Sequence, residues 1–374
     1  MAETNWIDGN AQLAQVAAAL GDATWVGIDT EFMRERTFFP RLCLVQISAA
    51  AGSATGIWLI DTLRLRDFTP LLPALTAPSV RKIVHAARQD LEALYLHTRQ
   101  LVAPVFDTQI AAGCIGLKAQ LGYADLANTL LGVTIGKSQT RTDWARRPLS
   151  AAQLAYAAED VKHLPAIAAR LEDRLDQLGR TQWAAEDCAQ LANPALFDPD
   201  PRLAWKRLKG LSLMPPPARR AAVALAVWRE GSARDRDLPR SWILSDAGLA
   251  AVAQAMPDDE AGLGRCAPET GDWTAAARAS LLAALSQAPD QELPAMREDD
   301  TRPTPEQKER IHRLARVVDE RARALGVSAE ILAPRGELRA LALSDADPAT
   351  LELPSLRGWR RAQIGEELLA TLRR

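Results

Sequence analysis

Four apolar runs follow one another early in the chain: Trp25–Phe32 (WVGIDTEF), Leu42–Ser48 (LCLVQIS), Ile57–Asp61 (IWLID) and Lys82–Ala86 (KIVHA). Their aromatic and β-branched content predicts strands. Only residues 49–56 (AAAGSATG) separate the second run from the third, too few for a helical crossover, so these two should pair as an antiparallel hairpin. An amphipathic helix over about Asn10–Leu20 precedes the strands. The fourth run leads into ARQDLEALYLHT, then PVFDTQIAAG, and the pattern stays helical to about Gln190. Strands first and helices after predict a mixed sheet with helices on its faces.

Two proline-rich breaks divide the rest. LANPALFDPDPRLAW carries Pro194, Pro199 and Pro201; APDQELPAMREDDTRPTPEQ carries Pro289, Pro294, Pro303 and Pro305. The helical pieces on either side of the second break resemble each other weakly, LPRSWILSDAGLAAVAQA against GVSAEILAPRGELRALAL. Two small helical modules are expected. The predicted domains are residues 1–195, 201–290 and 298–374.

Composition narrows the picture modestly. The 374 residues are 48% hydrophobic and 25% charged with a formal net charge of −2, so a basic surface, if present, must be local. One run qualifies: ten basic residues between Arg202 and Arg240 face only Glu230, Asp235 and Asp237. It reads either as a solvated helix face or as a contact for a phosphate backbone. The four cysteines and four histidines show no zinc spacing. No basic leader opens the chain and no apolar run is long enough to span a bilayer, so a cytoplasmic protein without membrane partners is expected.

The candidate chemistry begins inside the first run. Asp29 and Glu31 lie two apart on a strand, so both carboxylates leave the same face and repel unless water or a cation meets them. Asp90 falls near the start of the helix after KIVHA, where the positive helix end favours a carboxylate. Tyr156 and Asp160 stand four apart on one helix, hence on one face. Hard oxygen ligands suit Mg²⁺ or Mn²⁺, and two such ions support phosphodiester cleavage. A phosphate-binding loop in GVTIGKS fails on spacing, since three residues rather than four separate Gly132 from Gly136, and no nucleoside triphosphate is expected. Asp107 reads as a helix cap or as support for the ligands, and His85 as a buried, hydrogen-bonded histidine.

Taken in order, DTEFMRERTFFPRLCLVQI, IVHAARQDLE, FDTQIAA, KSQTRTDWARRPLS and YAAEDVKHL resemble the DEDD exonuclease superfamily, in the subclass whose last motif carries tyrosine, and within it the ribonuclease D family. LAVWREGSARDRDLPRSWILSD resembles an HRDC module, and the piece from about Thr301 matches a second one less well. The resemblance implies a ribonuclease H-like α/β domain followed by two small all-α HRDC-like domains. It implies that Asp29, Glu31 and Asp160 ligate one metal, that Asp29 bridges to a second served by Asp90 through water, and that Tyr156 orients the attacking water. Lys137 and Arg141, with His85 beside them, become substrate-binding candidates. The implied activity is 3′-to-5′ exoribonuclease, releasing 5′-mononucleotides from tRNA precursors and other small structured RNAs. A DNA exonuclease or an inactive RNA-binding protein are the alternatives. All the candidate ligands precede the first proline-rich break, so the active site is expected to assemble without the helical half.

Overall fold

The computed structural model describes residues 3–51, 54–136, 139, 142–288, 303–344, 347 and 350–373. Among them, six strands make one mixed sheet: β1 (Glu3–Ile7), β2 (Trp25–Met33), β3 (Arg41–Ala51), β4 (Ala54–Asp61), β5 (Arg81–Val84) and β6 (Val105–Asp107), in the order β1-β4-β3-β2-β5-β6. The predicted hairpin is there: β3 and β4 pair antiparallel with Leu44 opposite Asp61 and Ile47 opposite Trp58. β2 is antiparallel to β3 and parallel to β5, and its register slips between Glu31 and Phe32. β1, which the apolar pattern does not single out, runs parallel to β4 at the edge.

Helices cover both faces. Before the first proline-rich break these are α1 (Asn10–Ala19), α2 (Leu72–Thr76), α3 (Arg88–Thr98), α4 (Thr108–Cys114), α5 (Tyr123–Leu131), α6 (Ala151–Lys162), α7 (Leu164–Gln177) and α8 (Thr181–Ala189). β3 alternates accordingly: Val45, Ile47 and Ala49 pack with Leu13, Leu91 and Leu94, while Leu44 joins Ala157, Val161 and Leu164 on the opposite face. Gly27 matters to that second face. A Cβ there would stand 2.3 Å from Ser48 Oγ and 3.5 Å from Leu164, so a bare backbone lets the α6–α7 turn close on the sheet. The Ser48 hydroxyl then donates to the Val161 carbonyl, 2.9 Å away, and pins the end of α6 to β3.

By contacts the chain groups into two compact units: Met1–Met33, Pro40–Phe197 and Pro305–Arg374 in the first, Arg34–Phe39 and Asp198–Thr304 in the second. The second unit holds α9 (Pro216–Asp235), α10 (Arg240–Ile243), α11 (Asp246–Ala255), α12 (Glu260–Cys266) and α13 (Ala275–Ser286), closed around Ala221, Leu225, Leu249, Val252, Leu263 and Leu281.

The remaining helices, α14 (Pro305–Leu325), α15 (Ala329–Leu332), α16 (Arg335–Leu343), α17 (Gly358–Arg360) and α18 (Glu366–Leu372), belong to the first unit. Leu314, Val318, Leu338 and Leu368 share one apolar cluster with Ala111, Leu126, Ile167 and Leu171. Trp183 and Trp359 stack at 4.2 Å with planes 9° apart, and Arg180 and Arg360 each lie over one of the two rings. Asp187 accepts from both the Trp359 indole, at 3.1 Å, and the Arg360 guanidinium, at 2.5 Å. The sequence pattern therefore marks three segments, whereas contacts join the described part of the last one to the first. Helices α4, α5, α7 and α8 share their apolar cluster with residues beyond 304.

Candidate active site

β2 delivers Asp29 and Glu31 from one face, and the α6 helix delivers Asp160 to meet them. Carboxylate oxygens of these three residues all lie within 4.8 Å of one another. They line a cavity of about 440 Å³ together with Thr30, Phe32, His85, Gln89, Asp90, Tyr123 and Tyr156. No lysine or arginine stands among the described residues that line it.

Burial without a counter-charge raises every acid in the cluster. Asp29 is held well above the usual carboxylate range by burial first, then by repulsion from Asp90, Asp160 and Glu31. Glu31 is pushed to about 9 by burial and by Asp160 and Asp90. Asp90 and Asp160 each rise to about 7, again chiefly through burial. An all-oxygen donor set that is costly to ionise unaided fits a divalent cation of the Mg²⁺ or Mn²⁺ type, whose charge replaces the protons.

Each ligand candidate is held by a separate device. α6 starts from a capping box in which Gln153 N–H donates to the Ser150 hydroxyl at 3.2 Å and Ser150 N–H donates to the Gln153 side chain at 2.9 Å. One and two turns later Tyr156 and Asp160 share a face, and the Tyr156 hydroxyl donates to the Asp160 carboxylate. Asp90 sits in the first turn of α3, buried, and accepts the Thr30 hydroxyl at 2.5 Å. It lines the cavity but is set apart from the close trio.

Asp107, weighed from sequence as a cap, is the N-cap of α4 and more. Its buried carboxylate accepts from Gln109 and Ile110 at the start of α4, and from Ala86 and Ala87 in the turn before α3. That turn is strained, with Ala86 at φ 55°, and Asp107 holds it in the shape that launches Asp90. His85 is half-buried, with Nδ1 2.9 Å from the Thr108 hydroxyl, and burial lowers its pKa. Since the Thr108 hydroxyl itself donates to the Val84 carbonyl, His85 Nδ1 is the donor to the Thr108 oxygen, which fixes the ring's orientation.

Tyr123 is the cavity residue that sequence reading missed. Its hydroxyl donates to the Glu159 carbonyl at 2.9 Å and accepts from His163 N–H at 3.2 Å, tying α5 to the end of α6. Nothing in LGYADL announces this, because the contact depends on how two helices pack. Lys137 and Arg141 lie outside the described residues.

Half of the ten basic residues in the run are ion-paired within the helical unit. Arg207 and Arg240 pair with the buried Glu230; Arg202 pairs with Asp200, Arg229 with Asp246 and Arg234 with Asp198, while Arg219 donates to two carbonyls. Six of the ten charges thus have internal partners, and Lys206, Lys209, Arg220 and Arg236 carry what remains of the predicted basic surface. A larger cavity of about 860 Å³ opens at the other end of the sheet, near Trp25, Arg81 and Phe106. It is mostly apolar and offers no set of oxygen ligands, so the smaller, acidic cavity is the better candidate.

Comparison with known proteins gives the family. A family model described as a 3′-5′ exonuclease matches residues 4–176, and the HRDC domain model matches residues 219–285. A ribonuclease D of Granulibacter bethesdensis is 38% identical over 377 residues, covering 97% of this chain and 91% of that protein. One from Pseudomonas paraeruginosa is 35% identical over 382 residues, covering 99% and 98%. The crystal structure of Escherichia coli RNase D, an exoribonuclease involved in structured RNA processing, matches with a TM-score of 0.86 at 27% identity over 99% of both chains. A 3′-5′ exonuclease domain joined to an HRDC domain defines the class. The chain belongs to the ribonuclease D family, and is a 3′-5′ exoribonuclease.

Proposed function

We propose that the enzyme removes 5′-mononucleotides from the 3′ ends of structured RNAs, tRNA precursors among them, with two divalent cations, Mg²⁺ or Mn²⁺, at the acidic cluster. The observation that carries this reading is the convergence of Asp29, Glu31 and Asp160 within 4.8 Å. In this reading Asp29, Glu31 and Asp160 would hold one cation, and Asp29 and Asp90 would serve the other. Bound there, the cations supply the positive charge that activates water and stabilises the leaving oxygen.

The chain's own groups supply the rest. The Tyr156 hydroxyl, already aligned on Asp160, orients the attacking water by hydrogen bond. His85 lies beside the scissile end, and Lys137 and Arg141 receive phosphates. Residues 1–195 form the catalytic domain, 201–290 the first HRDC-like domain and 298–374 a second one docked on the catalytic domain. The four free cysteines suit a reducing compartment, which supports the cytoplasm as its location.

The test is a side-by-side assay of a tRNA with a 3′ extension, single-stranded RNA and single-stranded DNA, with Mg²⁺, with Mn²⁺ and after exhaustive chelation. Trimming of both RNAs that stops on chelation supports the reading. Equal activity on DNA would mean that nothing in the site reads the 2′-hydroxyl.

A further inference from the structure

The middle of β3 buries a carboxamide that meets no hydrogen-bonding partner. Gln46 is 0% exposed, and neither its Oε1 nor its Nε2 makes a hydrogen bond among the described residues. A buried amide left this way loses its water and gains nothing in exchange, so an apolar residue of the same size would serve the core better. Its neighbours are of that kind: Leu59, opposite it on β4, and Leu44, two positions before it, pack with Ala157 and Val161 of α6. A polar group kept in such a layer needs a partner that the core itself does not supply.

The pairing register identifies that partner. β2 and β3 run antiparallel with Gly27 opposite Ser48 and Asp29 opposite Gln46. A Cβ at Gly27 would run into Ser48 Oγ, and Ser48 bonds to α6, so positions 27 and 48 share the sheet face that α6 covers. Side chains alternate along a strand, and two positions on, Asp29 and Gln46 share that face as well. Residues directly opposite have Cβ atoms about 4.5–5.5 Å apart, which puts a carboxylate within reach of a glutamine amide. The register slip falls after Glu31, beyond this pair. Ser48 donates its hydroxyl to the Val161 carbonyl, and Gly27, Leu44 and Leu59 bring no polar side chain. Asp29 lines the acidic cavity, whereas Gln46 does not. The amide therefore reaches the site only through Asp29.

We infer that Gln46 is a positioning residue for metal binding: its carboxamide N–H donates to the Asp29 carboxylate when that carboxylate ligates a cation. An ionised carboxylate accepts at about four lone-pair sites, which leaves room for a donor beside the cations. Such a donor fixes the orientation of the ligating oxygens, and supporting bonds of this kind carry part of the metal affinity. This inference rests on the reading of Asp29 as a metal ligand.

The experiment uses the full-length chain. Gln46→Met and Gln46→Leu each remove the amide, and Leu59→Met alters packing in the same layer at nearly equal volume. Three quantities are measured: melting temperature in chelator, Mn²⁺ binding by calorimetry without RNA, and RNA trimming across a Mn²⁺ titration. Both Gln46 variants should melt in chelator at or above the wild-type temperature, because an unpartnered amide gives way to an apolar group. Their Mn²⁺ affinity should fall about 10-fold or more, and trimming lost at low Mn²⁺ should return at saturating Mn²⁺. Leu59→Met should keep wild-type Mn²⁺ affinity. Wild-type Mn²⁺ affinity in the Gln46 variants would overturn the inference. An equal loss in Leu59→Met would also overturn it, by making the effect one of packing. So would a clearly lower melting temperature of both Gln46 variants in chelator, since the amide would then already have its partner in the metal-free core. If the wild-type chain binds no Mn²⁺ and trims RNA under chelation, the metal reading itself has failed, and that is seen before any variant is compared.

Discussion

The Thr30 hydroxyl donates to Asp90 Oδ1 across 2.5 Å, joining the middle of β2 to the first turn of α3. Thr30 stands between Asp29 and Glu31, so one strand presents two carboxylates and also orients a third. The bond favours the ionised form of Asp90 and opposes the upward push of burial. Thr30→Val should raise the Asp90 pKa further and move the acid limb of the pH–rate profile upward. A profile identical to wild type would show that this bond does not govern the state of Asp90.

The metal-free protein should lose stability as pH rises. Folded Asp90 and Asp160 hold protons up to about 7, and Glu31 up to about 9, whereas the unfolded chain releases them near the ordinary carboxylate values of 3.8 and 4.5. The folded state binds more protons in that window, so stability is greatest below it and falls through it. Asp29→Asn removes one of the repelling charges and should raise the metal-free melting temperature at pH 8 by about 2–4 °C for each kcal/mol relieved. The gain should shrink at pH 5. Thermal scans in chelator at both pH values check the sign, and a lowered melting temperature at pH 8 would contradict it.

Tyr156→Phe should lower kcat by roughly 10²-fold, because the ring still packs and only the hydroxyl on Asp160 is lost. Metal titration should barely move, in contrast to Asp160→Asn. Equal shifts in the two variants would make Tyr156 part of the metal site rather than a guide for water.

Asp107→Ala should destabilise by about 2–4 kcal/mol, since it removes a helix cap and orphans backbone donors in the turn before α3. Activity should fall even at temperatures where the variant is folded, because that turn delivers Asp90. Full activity at a reduced melting temperature would confine Asp107 to a structural role.

Trp359→Ala should cost about 3–5 kcal/mol, in line with the loss of a large buried aromatic, and should undo the stack on Trp183. The same contacts imply that a fragment ending at residue 195 exposes Leu126, Ile167 and Leu171 and binds a hydrophobic dye. A fragment that melts like the whole chain would show that the shared cluster is dispensable.

What could be read from sequence was short-range. Asp29 and Glu31 share a face because a strand alternates, and Tyr156 and Asp160 share one because a helix repeats; both follow from spacing alone. The β3–β4 hairpin was legible for the same reason, from the length of its connection. Other features depend on partners distant in the chain. β1 is five residues at a sheet edge, TNWI with one residue before it, and shows no alternation to detect. Tyr123 gains its role only when α5 meets α6. Counting charges from Arg202 to Arg240 suggested a free basic face, but a count cannot see that the single buried Glu230 holds two of those arginines. That residues of α14 share an apolar cluster with those of α4, α5 and α7 is likewise invisible to local pattern.

The central claim is that Asp29, Glu31, Asp90 and Asp160 bind the divalent cations on which hydrolysis depends. The most direct test is Mn²⁺ binding and RNA trimming measured on the same preparations of wild type and Asp29→Asn, after chelation and then over a Mn²⁺ titration. Wild type should bind Mn²⁺ and trim RNA only when it is bound, while Asp29→Asn should stay folded, bind Mn²⁺ weakly and lose activity. Trimming that survives chelation, or an Asp29→Asn variant with wild-type turnover, would contradict the account.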